Sequence, residues 1–173
     1  LLINESDPVA VRGPLATRYV QQFLRNVAWG DVDFLILDLP PGTGDIQLTI
    51  VQTAELDGVV VVTTPQEVAL IDARKAIGLF ERVETPILGI IENMSYFQCP
   101  SDGKIYHIFG EGGGEREAAK LGVPLLGKIP LDISTRFGGD EGRPVALEDP
   151  GQNPVSAAFR QVAEQCARVV LDR

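Results

Sequence analysis

The chain has 173 residues, 45% hydrophobic and 23% charged, with a formal net charge of −9 and a sequence pI near 4.6. That length suits one domain, 1–173, with a substantial core, and the acidic balance argues against a broad nucleic-acid surface because backbone phosphates would be repelled. Two cysteines are too few for a disulfide scaffold, no apolar run approaches the roughly 20 residues needed to cross a bilayer, and no signal peptide is visible, so a cytoplasmic protein with reduced thiols is expected.

Leu1, Leu2 and Ile3 read as the tail of a strand, so the chain is expected to begin inside a domain. Asn4 to Val11 read as a loop, with Asp7-Pro8 as its turn signal. Gly13-Pro14 opens a helix, proline being favoured at the first helical position where its missing N–H has no consequence. Leu15, Tyr19, Phe23 and Val27 recur at helical spacing and are expected to face a sheet, and Gly30-Asp31 ends the helix.

The stretch Asp33 to Asp45, DFLILDLPPGTGD, is where the chemistry is expected. Phe34, Leu35, Ile36, Leu37 and Leu39 form a near-continuous apolar run, which predicts a strand buried on both faces of a parallel sheet. Asp38 stands near its carboxyl end, where open α/β sheets bind ligands, and a carboxylate there can hold Mg²⁺ through water beside a phosphate chain. Pro40 and Pro41 fix the exit of the chain, while Gly42 and Gly44 let backbone N–H groups approach an anion. A helix from about Asp45 through Ala54 adds its positive end to the same place. Taken as an isolated motif, the stretch reads equally well as a buried strand, a capping Asp and a tight turn.

Gly58 to Val62 predict a second buried strand ending in Thr63-Thr64-Pro65. In the helix that follows, Ala69, Ala73, Ala76, Ile77 and Phe80 share one face, and Glu67, Arg74, Lys75, Glu81 and Arg82 form a solvated one. Pro86 to Ile91 predict a third buried strand ending at Glu92-Asn93-Met94, where Asn93 by itself reads as a turn cap. Gln98 to Gly110 are a polar excursion containing Cys99 and the single histidine, His107, whose Tyr-His-Ile-Phe setting suits packing at least as well as metal binding.

Gly112 to Gly114 precede a helix through Ala119 that Gly122 closes. GVPLLGKI, from Gly122 to Ile129, nearly spells a phosphate loop. Ile129 has no hydroxyl for Mg²⁺, however, and the segment follows a helix and reads as a strand, the reverse of the required order. Gly138 to Pro154 read as a surface loop. Val155 to Leu171 read as an amphipathic helix with Val155, Ala158, Phe159, Val162, Cys166 and Val169 on its packed face, where Cys166 is a structural residue. Strands alternating with helices predict a three-layer α/β fold with a mainly parallel sheet flanked by helices.

DLPPGTGDIQLTIVQ, from Asp38, resembles the second switch segment of the Mrp family, P-loop ATPases that carry iron-sulfur clusters and are relatives of MinD and ParA. TTPQEVALIDARKAIGLF from Thr63, ENMSYFQCPSDGKIYHIFGEGGGEREAAKLGVPLLGKIPLD from Glu92 and PVAVRGPLATRYVQQFL near the start extend the similarity over most of the chain. The resemblance implies a P-loop NTPase-like domain that is incomplete at its N-terminus, the Gly-rich phosphate loop with its two lysines and the first switch Asp lying upstream of Leu1. The present residues are therefore expected to bind Mg-ATP weakly. In the intact protein the resemblance implies ATP and Mg²⁺ as cofactors, with ATP hydrolysis coupled to loading or transfer of an iron-sulfur cluster.

By the same resemblance, Asp38 holds Mg²⁺ through water and Gly42 senses the γ-phosphate through its N–H. Thr43, Gly44 and Asp45 shape the switch loop, Asn93 reads the adenine edge, Pro130 to Asp132 border the base, and Arg12 lies near the dimer and nucleotide region. The family pattern C-P-x-C, one pair from each of two subunits holding a shared cluster, stands here as Cys99, Pro100, Ser101 and Asp102. The second thiolate is absent, and a hard carboxylate is a poorer ligand for such clusters. Three outcomes stay open: Asp102 ligates, two Cys99 residues of a dimer act with other donors, or the site is weak or lost. A homodimer that serves iron-sulfur acceptor proteins is implied, with neither nucleic acid nor membrane as partner. The alternatives are a MinD- or ParA-like positioning ATPase and a non-enzymatic scaffold or interaction module.

Overall fold

The computed structural model describes residues 13–40, 42 and 44–172, which fall into two compact units, Leu1–Leu56 and Asp57–Arg173. The expected opening strand, the loop after it and Arg12 lie outside the described residues.

In the first unit α1 (Gly13–Asn26) packs on α2 (Asp45–Thr53), and both helices begin where the sequence places them. The apolar run between them departs from expectation. Phe34 to Leu39 form no strand, and Phe34, Leu35 and Ile36 are exposed, Ile36 to 87%. A strand buried on both faces needs a ladder on each side, and the described part of this unit consists of helices and loop only. Leu15, Tyr19, Phe23 and Val27, expected to face a sheet, are likewise exposed. Their partner α2 is nine residues long, about 14 Å at 1.5 Å per residue, which is too short to cover the stripe of a 14-residue helix.

The second unit is built as a parallel sheet with helical crossovers. Its elements are β1 (Val59–Thr63), α3 (Glu67–Arg82), β2 (Ile87–Glu92), a hairpin of β3 (Phe97–Gln98) and β4 (Ile105–Tyr106), α4 (Gly113–Leu121), β5 (Leu125–Lys128), α5 (Ile133–Asp140), a 3-10 turn (Val145–Leu147) and α6 (Pro154–Leu171). The strand order is β1-β2-β5, all parallel, with Val61 opposite Ile90 and Ile91 opposite Gly127. Runs of β-branched residues favour strands, and the intervening amphipathic helices supply the covering layers.

The core joins Val61 and Ile90 from the sheet to Ala73 and Ile77 of α3 and Ala118 of α4. Each large aliphatic chain fully buried in such a core stabilises the fold by about 1.5 to 3 kcal/mol. On α3 the buried residues are Leu70, Ala73, Ile77 and Phe80, so the apolar face is turned slightly from the expected one and takes in Leu70. On α6, Asn153 accepts N–H bonds from Val155 at 2.8 Å and Ser156 at 3.3 Å, which fixes the start of the helix. Cys166 on this helix is half-buried, and that burial pushes its thiol up. The tract expected as a surface loop includes the end of α5 and the 3-10 turn, which buries Val145.

Arg74 is not on a purely solvated face. Its Nε and Nη2 hold the two oxygens of Glu117 on α4 at 2.9 and 2.6 Å, and its Nη1 meets Glu67 at 2.7 Å. Lys120 adds a bond to Glu117 at 2.8 Å. Glu117 is buried, and the Arg74 fork, then Lys120, holds its carboxyl down at about 2. A carboxylate whose folded pKa is depressed adds stability above its ordinary pKa of 4.5 and loses it as pH falls towards 2. Glu117→Gln is therefore expected to lower the urea midpoint at pH 7, and the gap to the wild type should close between pH 4.5 and 2. A gap that does not change with pH would show that the pair acts through packing alone.

No helix among the described residues is long and apolar enough to cross a membrane.

Candidate functional site

In the first unit Asp38 is exposed on the loop leading to α2. The loop is tied down by Gln47, a buried α2 residue whose Nε2–H donates to the Pro40 carbonyl at 2.7 Å. Gly42 has φ +95°, a conformation that side-chain-bearing residues rarely adopt, and its Cβ position opens on free space. Gly44 precedes α2 in extended conformation and brings no side chain of its own to the helix start, whose N–H groups point the positive end of the helix towards this loop. Thr43 lies outside the described residues, as does the side chain of Asp45. An exposed carboxylate, a glycine with open space beside it and the amino end of a helix are groups that fit a magnesium-bound phosphate chain.

In the second unit the sheet continues past its strand ends. Asn93 N–H donates to the Thr63 carbonyl at 2.7 Å, and Ile129 N–H to the Glu92 carbonyl at 2.9 Å. Ser95 N–H then reaches the Ile129 carbonyl at 3.0 Å, Leu131 N–H the Tyr96 carbonyl at 2.7 Å, and Phe97 bridges to Leu131. Pro130, buried in the middle of this extension, has no N–H and demands no partner. Asn93 and Pro130 are thus brought to neighbouring strand ends. The Asn93 Oδ1 accepts from Met94 N–H at 2.9 Å, the turn-capping role its position alone suggests.

Glu92, the last residue of β2, is fully buried. Its Oε1 accepts from the Ser95 hydroxyl at 2.5 Å and its Oε2 from the Gly114 N–H at 2.7 Å. In the sequence Glu92 marks only the end of a strand. The available signal was a carboxylate closing an apolar run, followed three residues later by a hydroxyl.

Cys99 sits on the turn of the β3–β4 hairpin. Its N–H donates to the Lys104 carbonyl and its carbonyl accepts from Gly103 N–H, both at 2.8 Å. The Cys99 Sγ lies 3.1 Å from the Ser101 Oγ, and this hydroxyl draws the thiol pKa down. Asp102 is engaged in the turn, accepting from Lys104 N–H at 3.1 Å and pairing with Lys104 Nζ at 3.1 Å, contacts that hold its carboxyl below the usual range. His107 is placed against the Ser95 carbonyl at 3.4 Å and Glu111 at 3.6 Å. No group of three or more His, Cys, Asp or Glu side chains able to hold a metal ion forms among the described residues. The hairpin therefore offers one available thiol per chain.

These environments separate the two cysteines. Iodoacetamide is expected to alkylate Cys99 about tenfold faster than Cys166, since the thiolate is the reactive form, and Ser101→Ala should slow the Cys99 reaction. Equal rates, read by peptide mass spectrometry, would contradict the assigned surroundings.

The family model described as NUBPL iron-transfer P-loop NTPase, under ParA, matches residues 1–167. The iron-sulfur cluster carrier protein of Pyrococcus furiosus is 48% identical over 165 residues, which are 95% of this chain and 55% of that protein. A nucleotide-binding protein from Archaeoglobus fulgidus, solved in complex with ADP, is similar at TM-score 0.68 and 43% identity over 75% of this chain and 53% of its own. The septum site-determining protein MinD of Pyrococcus horikoshii, complexed with Mg-ADP, is similar at TM-score 0.63 and 26% identity over 86% of this chain and 56% of its own. The chain spans about half the length of the curated relatives it matches.

Proposed function

Because the chain belongs to the family of NUBPL iron-transfer P-loop NTPases, we propose that it is part of an ATP-dependent iron-sulfur cluster carrier. The full-length protein binds and hydrolyses ATP to control loading of a cluster and its transfer to acceptor proteins. It works as a cytoplasmic homodimer, and both units of the present chain belong to one nucleotide-binding domain. The observation that carries this reading is that the family match runs through both the Asp38 loop and the Cys99 turn.

In this proposal Asp38 holds Mg²⁺ through water and the Gly42 N–H meets the γ-phosphate, while Thr43, Gly44 and Asp45 shape the switch loop. Bound Mg²⁺ supplies charge neutralisation for the phosphate chain. Asn93 turns its amide, with one donor and one acceptor, to the adenine edge, and Pro130 borders the base. Motion of the loop on hydrolysis is the output, an ordered-to-relaxed switch. The cluster is cargo. Cys99 supplies one thiolate ligand, and Asp102, held by Lys104, serves the turn. A positioning role like that of MinD is supported by fold and 26% identity, against 48% for the cluster carrier.

The test is anaerobic reconstitution of the full-length protein with iron and sulfide. The wild type is expected to gain the visible absorption of an iron-sulfur cluster and Cys99→Ser to lose it. A colourless wild type would overturn the carrier role.

A further inference from the structure

We propose that Glu92 is a positioning residue that locks the Asn93 strand end and the Cys99 hairpin to the amino terminus of α4. This rests on the roles given above to Asn93 and Cys99. A carboxyl removed from water persists where its oxygens find donors. Glu92 is 0% exposed, and each oxygen has its own partner on a different element.

One partner is the start of α4. Gly112, which precedes the helix, offers no side-chain cap, so the Glu92 Oε2 satisfies a first-turn N–H that would otherwise be orphaned. Two glycines make the approach possible. A Cβ on Gly113 would lie 2.5 Å from the Pro65 carbonyl oxygen, and one on Gly114 would lie 3.1 Å from the Glu92 Cβ and 3.2 Å from its Oε2. The other partner, Ser95, begins the segment that runs to the hairpin. Its N–H is pinned to Ile129 and its carbonyl faces the His107 ring across the hairpin. Moving α4 away from β2 therefore disturbs Ser95, which stands two residues from Asn93 and four from Cys99 in the chain. A cap that only stabilises the fold would leave both of those residues performing as before.

The experiment compares Glu92→Gln, Gly114→Ala and Asn93→Ala in the full-length protein, each shown to be folded by circular dichroism. The readouts are the ratio of kcat/KM for ATP over GTP and the rate of Cys99 alkylation. Glu92→Gln is expected to reduce the ATP-over-GTP ratio about tenfold, the loss that follows from breaking one well-made hydrogen bond to a positioned group, and to change the alkylation rate. Gly114→Ala, which forces the helix start off Glu92, should move both readouts the same way and replaces Glu92→Gln if that variant does not fold. If Asn93→Ala lowers the ratio while the folded Glu92 and Gly114 variants keep it, Glu92 is a stabilising cap and the proposal fails alone. If Asn93→Ala also leaves the ratio unchanged, the base-reading role falls and this proposal falls with it.

Discussion

Asp38→Ala in the full-length protein is expected to lower the rate of ATP hydrolysis on the order of 100-fold, the scale typical of removing one preorganised electrostatic contact. In the proposed role Asp38 would hold hydrated Mg²⁺, which would supply charge neutralisation for the phosphate chain, and alanine would remove that anchor. Asp38 is exposed and outside any core, so its removal should shift folding stability by no more than about 0.5 kcal/mol. Catalytic loss without destabilisation is the signature to look for, and Asp38→Asn, which keeps the shape and removes the charge, should resemble alanine. An unaltered rate would take Asp38 out of the mechanism.

The second large effect concerns stability. Ile90→Ala is expected to cost about 3 to 4 kcal/mol in urea unfolding, the transfer free energy of the lost atoms plus the cavity they leave. Ile90 is fully buried at the centre of the sheet, between Val61 on β1 and Leu125 on β5, with Ala73, Ile77 and Ala118 packed around it. Ile36→Ala is the matched control. With Ile36 87% exposed, its truncation should fall within about 0.5 kcal/mol of the wild type. Similar costs at the two positions would mean that the Phe34–Leu39 run is buried as a strand in solution.

That comparison marks where sequence reasoning succeeds. β1 and β2 declare themselves as apolar runs bounded by turn residues, α3 and α6 by helical spacing, and α4 by the glycines at its two ends, because here each element finds its partners within a few dozen residues. GVPLLGKI is rightly set aside as a phosphate loop, since it supplies the strand β5 after a helix. The apolar run before Asp38 has the composition of a central strand, yet composition records only a need for partners and not their presence. The apolar stripe of α1 fails in the same way.

The resemblance marks the positions of Asp38, Asn93 and Cys99, and the fold of the second unit explains how the last two are presented. Three features were not legible. The Arg74 fork on Glu117 joins helices 43 positions apart in the chain, and charge patterning sees only neighbours on one helix. The two bonds of Glu92 likewise close across separate elements. The engagement of Asp102 with Lys104 depends on how tightly one turn is wound.

In the second unit, the sheet is laid down in the order in which its strands leave the ribosome: β1, then β2, then β5. Among the described strands of this unit, each arriving strand meets an open edge that its predecessor has just provided. Growth of these three strands can proceed by accretion, with the valine-rich β1 as the edge on which β2 and then β5 are added.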